Sequence, residues 1–210
     1  MHKYFIKTPW LVKKLYSQYF WDLPAYNNEV YLTFDDGPHP QITPWVLEQL
    51  KAYEAKATFF CIGKNVVQYP DVYQQILAEG HTVGNHTHNH LNGWKVPVAN
   101  YIANSKEAAT FIQSPLFRPP YGRIKRKHLP LLKQAVNANT KVIMWDVLSA
   151  DFDTTITKEQ CAANVLKNTQ PGSIIVFHDS EKAFSNLAYA LPLVLEEWKK
   201  RGVVSKALSY

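Results

Sequence analysis

The chain has 210 residues, 46% of them hydrophobic and 19% charged, and a formal net charge of +6. This size and composition fit one globular domain with a full core, and there is no internal repeat or low-complexity tract. The positive charge suits an anionic polymer or surface, but no zinc finger, helix-turn-helix or aromatic ribonucleoprotein motif accompanies it, so nucleic acid is not an expected partner.

At the N-terminus, lysines at positions 3, 7, 13 and 14 interrupt every apolar run. No signal-peptide core and no span of ~20 apolar residues remains. The expected location is therefore cytoplasmic or peripheral, with no membrane association indicated. Thr8-Pro9 reads as an N-cap and first helical position. Trp10, Leu11, Leu15 and Tyr19 read as the apolar stripe of a helix docked on the base of the domain. Residues 1–28 form a helical extension in this reading, and 29–210 one main domain.

Strand-like runs follow at 29–35, 57–63, 82–85, 115–118, 141–147, 173–178 and 203–208. Helical segments fit between them at 43–54, 65–79, 97–112, 125–136, 158–168 and 183–200, with Thr43-Pro44 as a start signal and Gly80 and Gly202 as stops. Runs such as Ala57–Ile62 are apolar without alternation, as in strands buried on both faces. Strand–helix alternation predicts a parallel sheet with right-handed crossovers, and seven units predict a barrel or strongly curved sheet. Cys61 and Cys161, both in apolar surroundings, read as buried thiols.

In such folds the site forms at the carboxyl ends of the strands. That rule selects Asp35 and Asp36, then His86, His88 and His90, then Arg118 and Tyr121, then Asp146 and Asp151, and finally His178 and Asp179. His81 precedes its strand and reads as structural.

Thr33-Phe34-Asp35-Asp36-Gly37-Pro38 puts two carboxylates at a strand end. Neighbouring side chains on a strand point to opposite faces, so both reach one site only if the backbone kinks, a role that Gly37 and Pro38 can supply. Two carboxylates forced together repel unless one binds a cation or holds a proton. In His86-Thr87-His88-Asn89-His90 the outer histidines are four apart, and one helical turn would bring them to one side. With one carboxylate they make a two-histidine, one-carboxylate metal site with open positions for water. Zinc is the first choice, although the same ligands suit a non-haem iron oxygenase.

Arg118-Pro119-Pro120-Tyr121-Gly122 is a stiff loop whose guanidinium can hold a carboxylate. Trp145 to Phe152 supplies carboxylates and rim aromatics suited to stacking on sugars. His178 emerges from the buried run Ile174–Phe177 and is a candidate general acid. Arg123-Ile124-Lys125-Arg126-Lys127-His128 is the densest basic run and directly follows the Arg118 loop.

From about residue 29 to 208 these motifs, in this order, resemble the polysaccharide deacetylases of carbohydrate esterase family 4, the NodB-homology domain. The resemblance implies a distorted, TIM-barrel-like (β/α)7 fold. It implies metal-dependent removal of N- or O-acetyl groups from a glycan, with a metal-bound water as nucleophile. It assigns Asp36, His86 and His90 to a divalent metal, most often Zn²⁺ with Co²⁺ or Ni²⁺ as substitutes. Asp35 would be the base, oriented by Arg118, and His178 the acid, tuned by Asp151. The Tyr121 backbone N–H would stabilise the oxyanion, and Val176 would touch the acetyl methyl. Trp145, Phe152 and Pro119 complete the expected substrate-binding set. The chain departs from the usual fourth motif, Asp-x-x-Asp-Trp, by carrying Leu148 and Phe152 at its ends. An imide or ureide hydrolase on the same barrel and a silent glycan-binding module are the competing readings.

Overall fold

The computed structural model describes residues 4–24 and 27–209; Lys3, one of the N-terminal lysines, lies outside them. A short helix α1 (Trp10–Leu15) leads into strand β1 (Glu29–Asp35), and strand–helix units follow: α2 (Ile42–Ala52), β2 (Ala57–Cys61), α3 (Gly63–Gln68), α4 (Pro70–Ala78), β3 (Thr82–Asn85), α5 (Val98–Ala109), β4 (Leu116–Phe117), α6 (His128–Ala135), β5 (Lys141–Val142), β6 (Val147–Leu148), α7 (Lys158–Asn168), β7 (Ile174–His178), α8 (Glu181–Lys200) and β8 (Val204–Ser205).

The strands run parallel in the order β5-β4-β3-β2-β1-β7-β6, with β8 added to β1. The two ends of this path, β5 and β6, are close in sequence: Val142 and Val147 bound the connection. Five extended residues reach at most about 18 Å, whereas a flat sheet of seven strands is about 29 Å wide. The sheet therefore has to curl on itself, which is the distorted (β/α)7 barrel expected from the sequence.

Alternation along the strands sorts side chains between two faces. On β1 and β7, Val30, Leu32, Phe34, Ile175 and Phe177 face the helices in the main core, where Phe34 stacks on Phe59 and Phe177. Their neighbours Tyr31 and Ile174 pack with Phe60, Leu116, Ile143 and Leu208 in a smaller cluster on the opposite, inner face. Both faces are thus apolar, as the unalternating runs implied. Gly84 is required by this inner packing: a Cβ there would stand 2.5 Å from the Phe60 ring.

Several elements differ from the sequence expectation. The run 141–147 splits into β5 and β6, and its middle bonds instead to the N-terminal segment, with Met144 N–H donating to Phe20 and Thr8 N–H to Asp146. Helix 65–79 breaks at Tyr69, because the following Pro70 disfavours helical geometry before it. Thr43 does not cap α2; its hydroxyl bonds Asp179 instead. Thr8 likewise makes no helix cap and donates to the Trp145 carbonyl.

The predicted N-terminal stripe is corrected too. Trp10, Leu11 and Leu15 are 70%, 57% and 56% exposed, and only Tyr19 is buried. What holds the segment is polar: Lys7 and Lys13 clamp buried Asp146 at 2.6 and 2.5 Å, and Ser173 donates to the same carboxylate. This moves Asp146 away from the candidate site. It precedes β6 at the level of Ile174, where β7 begins, and its charge is spent on the N-terminal clamp.

Among the described residues both cysteines are free and buried, and no helix is long and apolar enough to cross a membrane. His81 is buried before β3 and accepts from the Ala57 N–H, in line with a structural role.

Candidate active site

A cavity of about 430 Å³ opens at the carboxyl ends of the strands and is lined by Asp35, Asp36, His86, His90, Val176 and His178 among others. Two routes bring these residues together. The inner row of β1, Tyr31-Thr33-Asp35, ends in Asp35, and the inner row of β7, Ile174-Val176-His178, ends in His178. Asp35 and His178 are register partners on adjacent strands.

Asp36 would point to the opposite face if β1 continued. It does not, because Asp36 itself takes a left-handed φ of 82°. The kink expected at Gly37 and Pro38 thus starts one residue earlier. Gly37 is needed for another reason: a Cβ there would lie 2.0 Å from an Asp179 carboxylate oxygen. Asp179 accepts from the Gly37 N–H and the Thr43 hydroxyl, and its own N–H donates to the Asp35 carbonyl. The Asn65 amide holds the Asp36 carbonyl at 2.7 Å.

His86 and His90 converge through an irregular loop, not a helical turn. Thr87 and His90 adopt φ of 63° and 53°. Asn85 accepts from the Thr87 N–H, and Asn104 on α5 accepts from the N–H groups of His88 and Asn89. Asp36, Thr87, His90, Tyr121 and Ala150 all have positive φ and all lie in the site loops. Such conformations cost roughly 1–3 kcal/mol each and persist where surrounding contacts impose them.

Asp36, His86 and His90 offer ligand atoms that all lie within 4.8 Å of one another. The Nε2 atoms of His90 and His86 stand 3.1 and 3.6 Å from Asp36 Oδ1. That oxygen is buried and makes no hydrogen bond. Burial opposes the charge on Asp36, but the imidazoles of His90, His178 and His86 hold its carboxyl well below the usual carboxylate range. Burial pushes His86 down to about 4 against the pull of Asp35. Its Nδ1 meets the Arg118 carbonyl at 2.8 Å, so the Nδ1–H donates there and the Nε2 lone pair faces Asp36. A neutral imidazole fixed in this way and an orphaned carboxylate oxygen fit a divalent cation.

Asp35 has a different partner. Arg118, fully buried, donates from one terminal nitrogen to Asp35 Oδ1 and to Thr33 Oγ1, both at 2.7 Å. Its other donors meet the Ile143 and Met144 carbonyls, and its guanidinium lies over the Phe60 ring. One Asp35 oxygen is thereby fixed, and the other lies 4.0 Å from His86 Nε2, beside the Asp36–His86–His90 cluster.

On the far side, buried Asp151 accepts from the His178 backbone N–H and from His178 Nδ1, both at 2.7 Å. Burial alone would lower the imidazole, but the Asp151 carboxylate dominates and raises it to about 9. Phe152 meets the His178 ring edge-on. Tyr121 packs on His90 with ring centroids 4.5 Å apart, and Trp145, Phe152, Val176 and Leu148 line the same cavity. Pro119 is buried behind this wall, where its carbonyl accepts from Gly122.

The positioning residues Asn65, Asn85 and Asn104 carry no signal for these roles in the sequence, because they act through side-chain bonds to loops that only the fold brings near. Asp179, next to His178 at a strand end, carries a positional signal alone.

The family model for polysaccharide deacetylase matches residues 24–139. A peptidoglycan-N-acetylglucosamine deacetylase of Bacillus cereus is 36% identical over 200 residues, covering 90% of this chain and 92% of the relative. A chitooligosaccharide deacetylase of Azorhizobium caulinodans is 33% identical, covering 72% of this chain and 74% of the relative. The crystal structure of the Bc1960 peptidoglycan N-acetylglucosamine deacetylase, bound to an aryl hydroxamate, superposes with a TM-score of 0.81 at 33% identity, over 96% of this chain and 95% of the other. With a matching family model, similar relatives along most of its length and the same barrel, the chain belongs to the polysaccharide deacetylase family of hydrolases.

Proposed function

We propose that the chain is a divalent-metal-dependent deacetylase of N-acetylated glycans, with the class of substrate that its peptidoglycan and chitooligosaccharide relatives carry in their names. The observation that carries this reading is the half-buried Asp36–His86–His90 cluster, with a buried Asp36 oxygen that makes no hydrogen bond, set between Asp35–Arg118 on one side and His178–Asp151 on the other.

Asp36, His86 and His90 would hold the cation. Zinc is the first choice, and cobalt or nickel fit the same donors. Such an ion supplies Lewis acidity toward the acyl oxygen and lowers the pKa of a bound water to about 7. The chain's own groups divide the proton traffic. Asp35, locked by Arg118, turns its free oxygen to the ligand cluster and accepts the proton of the attacking water. His178 donates Nδ1–H to Asp151, which directs Nε2–H at the cavity, where it protonates the departing amine nitrogen as the C–N bond breaks. The products are acetate and a free amino sugar. Positioned proton transfers of this kind contribute about 10²–10⁴ in rate. Val176 lines the floor beside these groups and suits a methyl-sized acyl group, and the Tyr121 N–H would supply a donor for the oxyanion.

The test is acetate release from chitotetraose and peptidoglycan fragments by chelated protein, before and after Zn²⁺, Co²⁺ or Ni²⁺ is restored. Metal-dependent acetate release supports the reading. Ring opening of cyclic imides without acetate release from any glycan would replace it.

A further inference from the structure

Beside the catalytic cavity opens a second one of about 370 Å³, within the range of small-ligand pockets. The two share Tyr4, Tyr121, Arg123, Trp145 and Leu148, so they form one groove with the Asp36 cluster at one end. The N-terminal segment lines the second cavity through Phe5, Thr8, Val12, Tyr16 and Tyr19, and Trp94 lines it too. A segment that reads as an extension in the sequence is thus a wall of the groove. Among the described residues no carboxylate lines this second cavity, and Arg123 is its one charged lining residue.

Arg123 is poised for a ligand. Its guanidinium lies on the Trp94 ring, 4.1 Å from the centroid, and Trp94 is itself held by a hydrogen bond to the Ile124 carbonyl. Among the described residues Arg123 has no carboxylate partner. A guanidinium ordered by stacking loses less freedom when it takes up a planar, two-oxygen anion. Lys182 adds a second cation at the catalytic mouth. Leu148, at the junction of the two cavities, adds no opposing charge.

We propose that this aromatic groove receives the sugar next to the one being deacetylated, and that Arg123 selects a neighbour that carries a carboxylate. The inference rests on the deacetylase reading above and names its preferred substrate class: an acidic N-acetylated glycan over a neutral one. Aromatic rings present flat apolar faces to the C–H face of a sugar ring, and the guanidinium at the groove edge supplies the charge recognition.

The experiment compares three substrates: a peptide-free tetrasaccharide of alternating N-acetylglucosamine and N-acetylmuramic acid, its methyl ester, and chitotetraose. For the wild type, kcat/KM for the acid exceeds that for the ester by about five- to tenfold, and the ratio shrinks with added salt. In Arg123→Gln the ratio falls to about one, whereas Arg123→Lys keeps part of it. Lys125→Gln, outside the groove, leaves the ratio as in the wild type. Equal turnover of acid and ester by the wild type, or an unchanged ratio in Arg123→Gln, overturns the inference while leaving the deacetylase reading in place. Acetate release from none of the three removes both.

Discussion

Asp35 and His178 reach the site by a different physical route from Asp36, His86 and His90. The first two end the inner rows of adjacent parallel strands and need nothing but strand alternation to face each other. The other three sit at or beside left-handed or irregular backbone that side chains from elsewhere hold in place: Asp36 by Asn65 and Asp179, the histidine loop by Asn85 and Asn104. The groups proposed to move protons are therefore built into the sheet, and those proposed to hold the metal are built on loops braced against it. Changes to the bracing should weaken metal binding and spare the barrel, whereas changes to the inner row should affect the barrel itself.

Asp36→Ala should have the strongest effect on function. It removes the only carboxylate of the ligand cluster, and acetate release should drop by more than about 10³-fold with metal content lost and circular dichroism unchanged. Retained metal would assign the third ligand elsewhere.

Arg118→Ala strikes the inner row. It leaves Asp35 buried and unpaired and removes the packing on Phe60, so urea denaturation should show a loss of about 3–5 kcal/mol. A loss below about 1 kcal/mol would show that the inner row does not depend on this pair.

Asn104→Ala tests the bracing. It removes the side-chain acceptor shared by the N–H groups of His88 and Asn89, and should weaken zinc about 10–100-fold in a competition titration. Unchanged zinc affinity would mean that the loop holds its shape without this side chain.

The mildest change is a shift in pH dependence. Asp151 raises His178, which stays protonated until the pH passes about 9; a bound dication nearby would lower that value. Removing the Asp151 charge favours the neutral imidazole, so Asp151→Asn should move the alkaline fall of kcat/KM to lower pH. A shift to higher pH, or none, would contradict the role of Asp151.

The same contrast explains what was legible in the sequence. Strand periodicity and the strand-end rule put Asp35, Arg118, Asp151 and His178 on one rim, and the order of the motifs matched a family. The His86–His90 spacing pointed to two residues that do converge, but through the wrong geometry, since a helical turn and a braced loop both bring residues four apart together. The inverted Trp10–Leu11–Leu15 face and the diversion of Asp146 to Lys7 and Lys13 were not legible, because they depend on which distant groups meet after folding. The break of 141–147 into two short strands has the same origin: the N-terminal segment takes the backbone bonds between them.

Neighbouring Asp35 and Asp36 are thus expected to do separate work, one on the proton and one on the cation. Zinc content and acetate release measured together on Asp35→Asn decide whether that division holds. Full zinc occupancy with turnover lowered by about 10²–10⁴ is the expected result. Loss of zinc together with turnover, or full zinc with turnover near the wild-type rate, would contradict it.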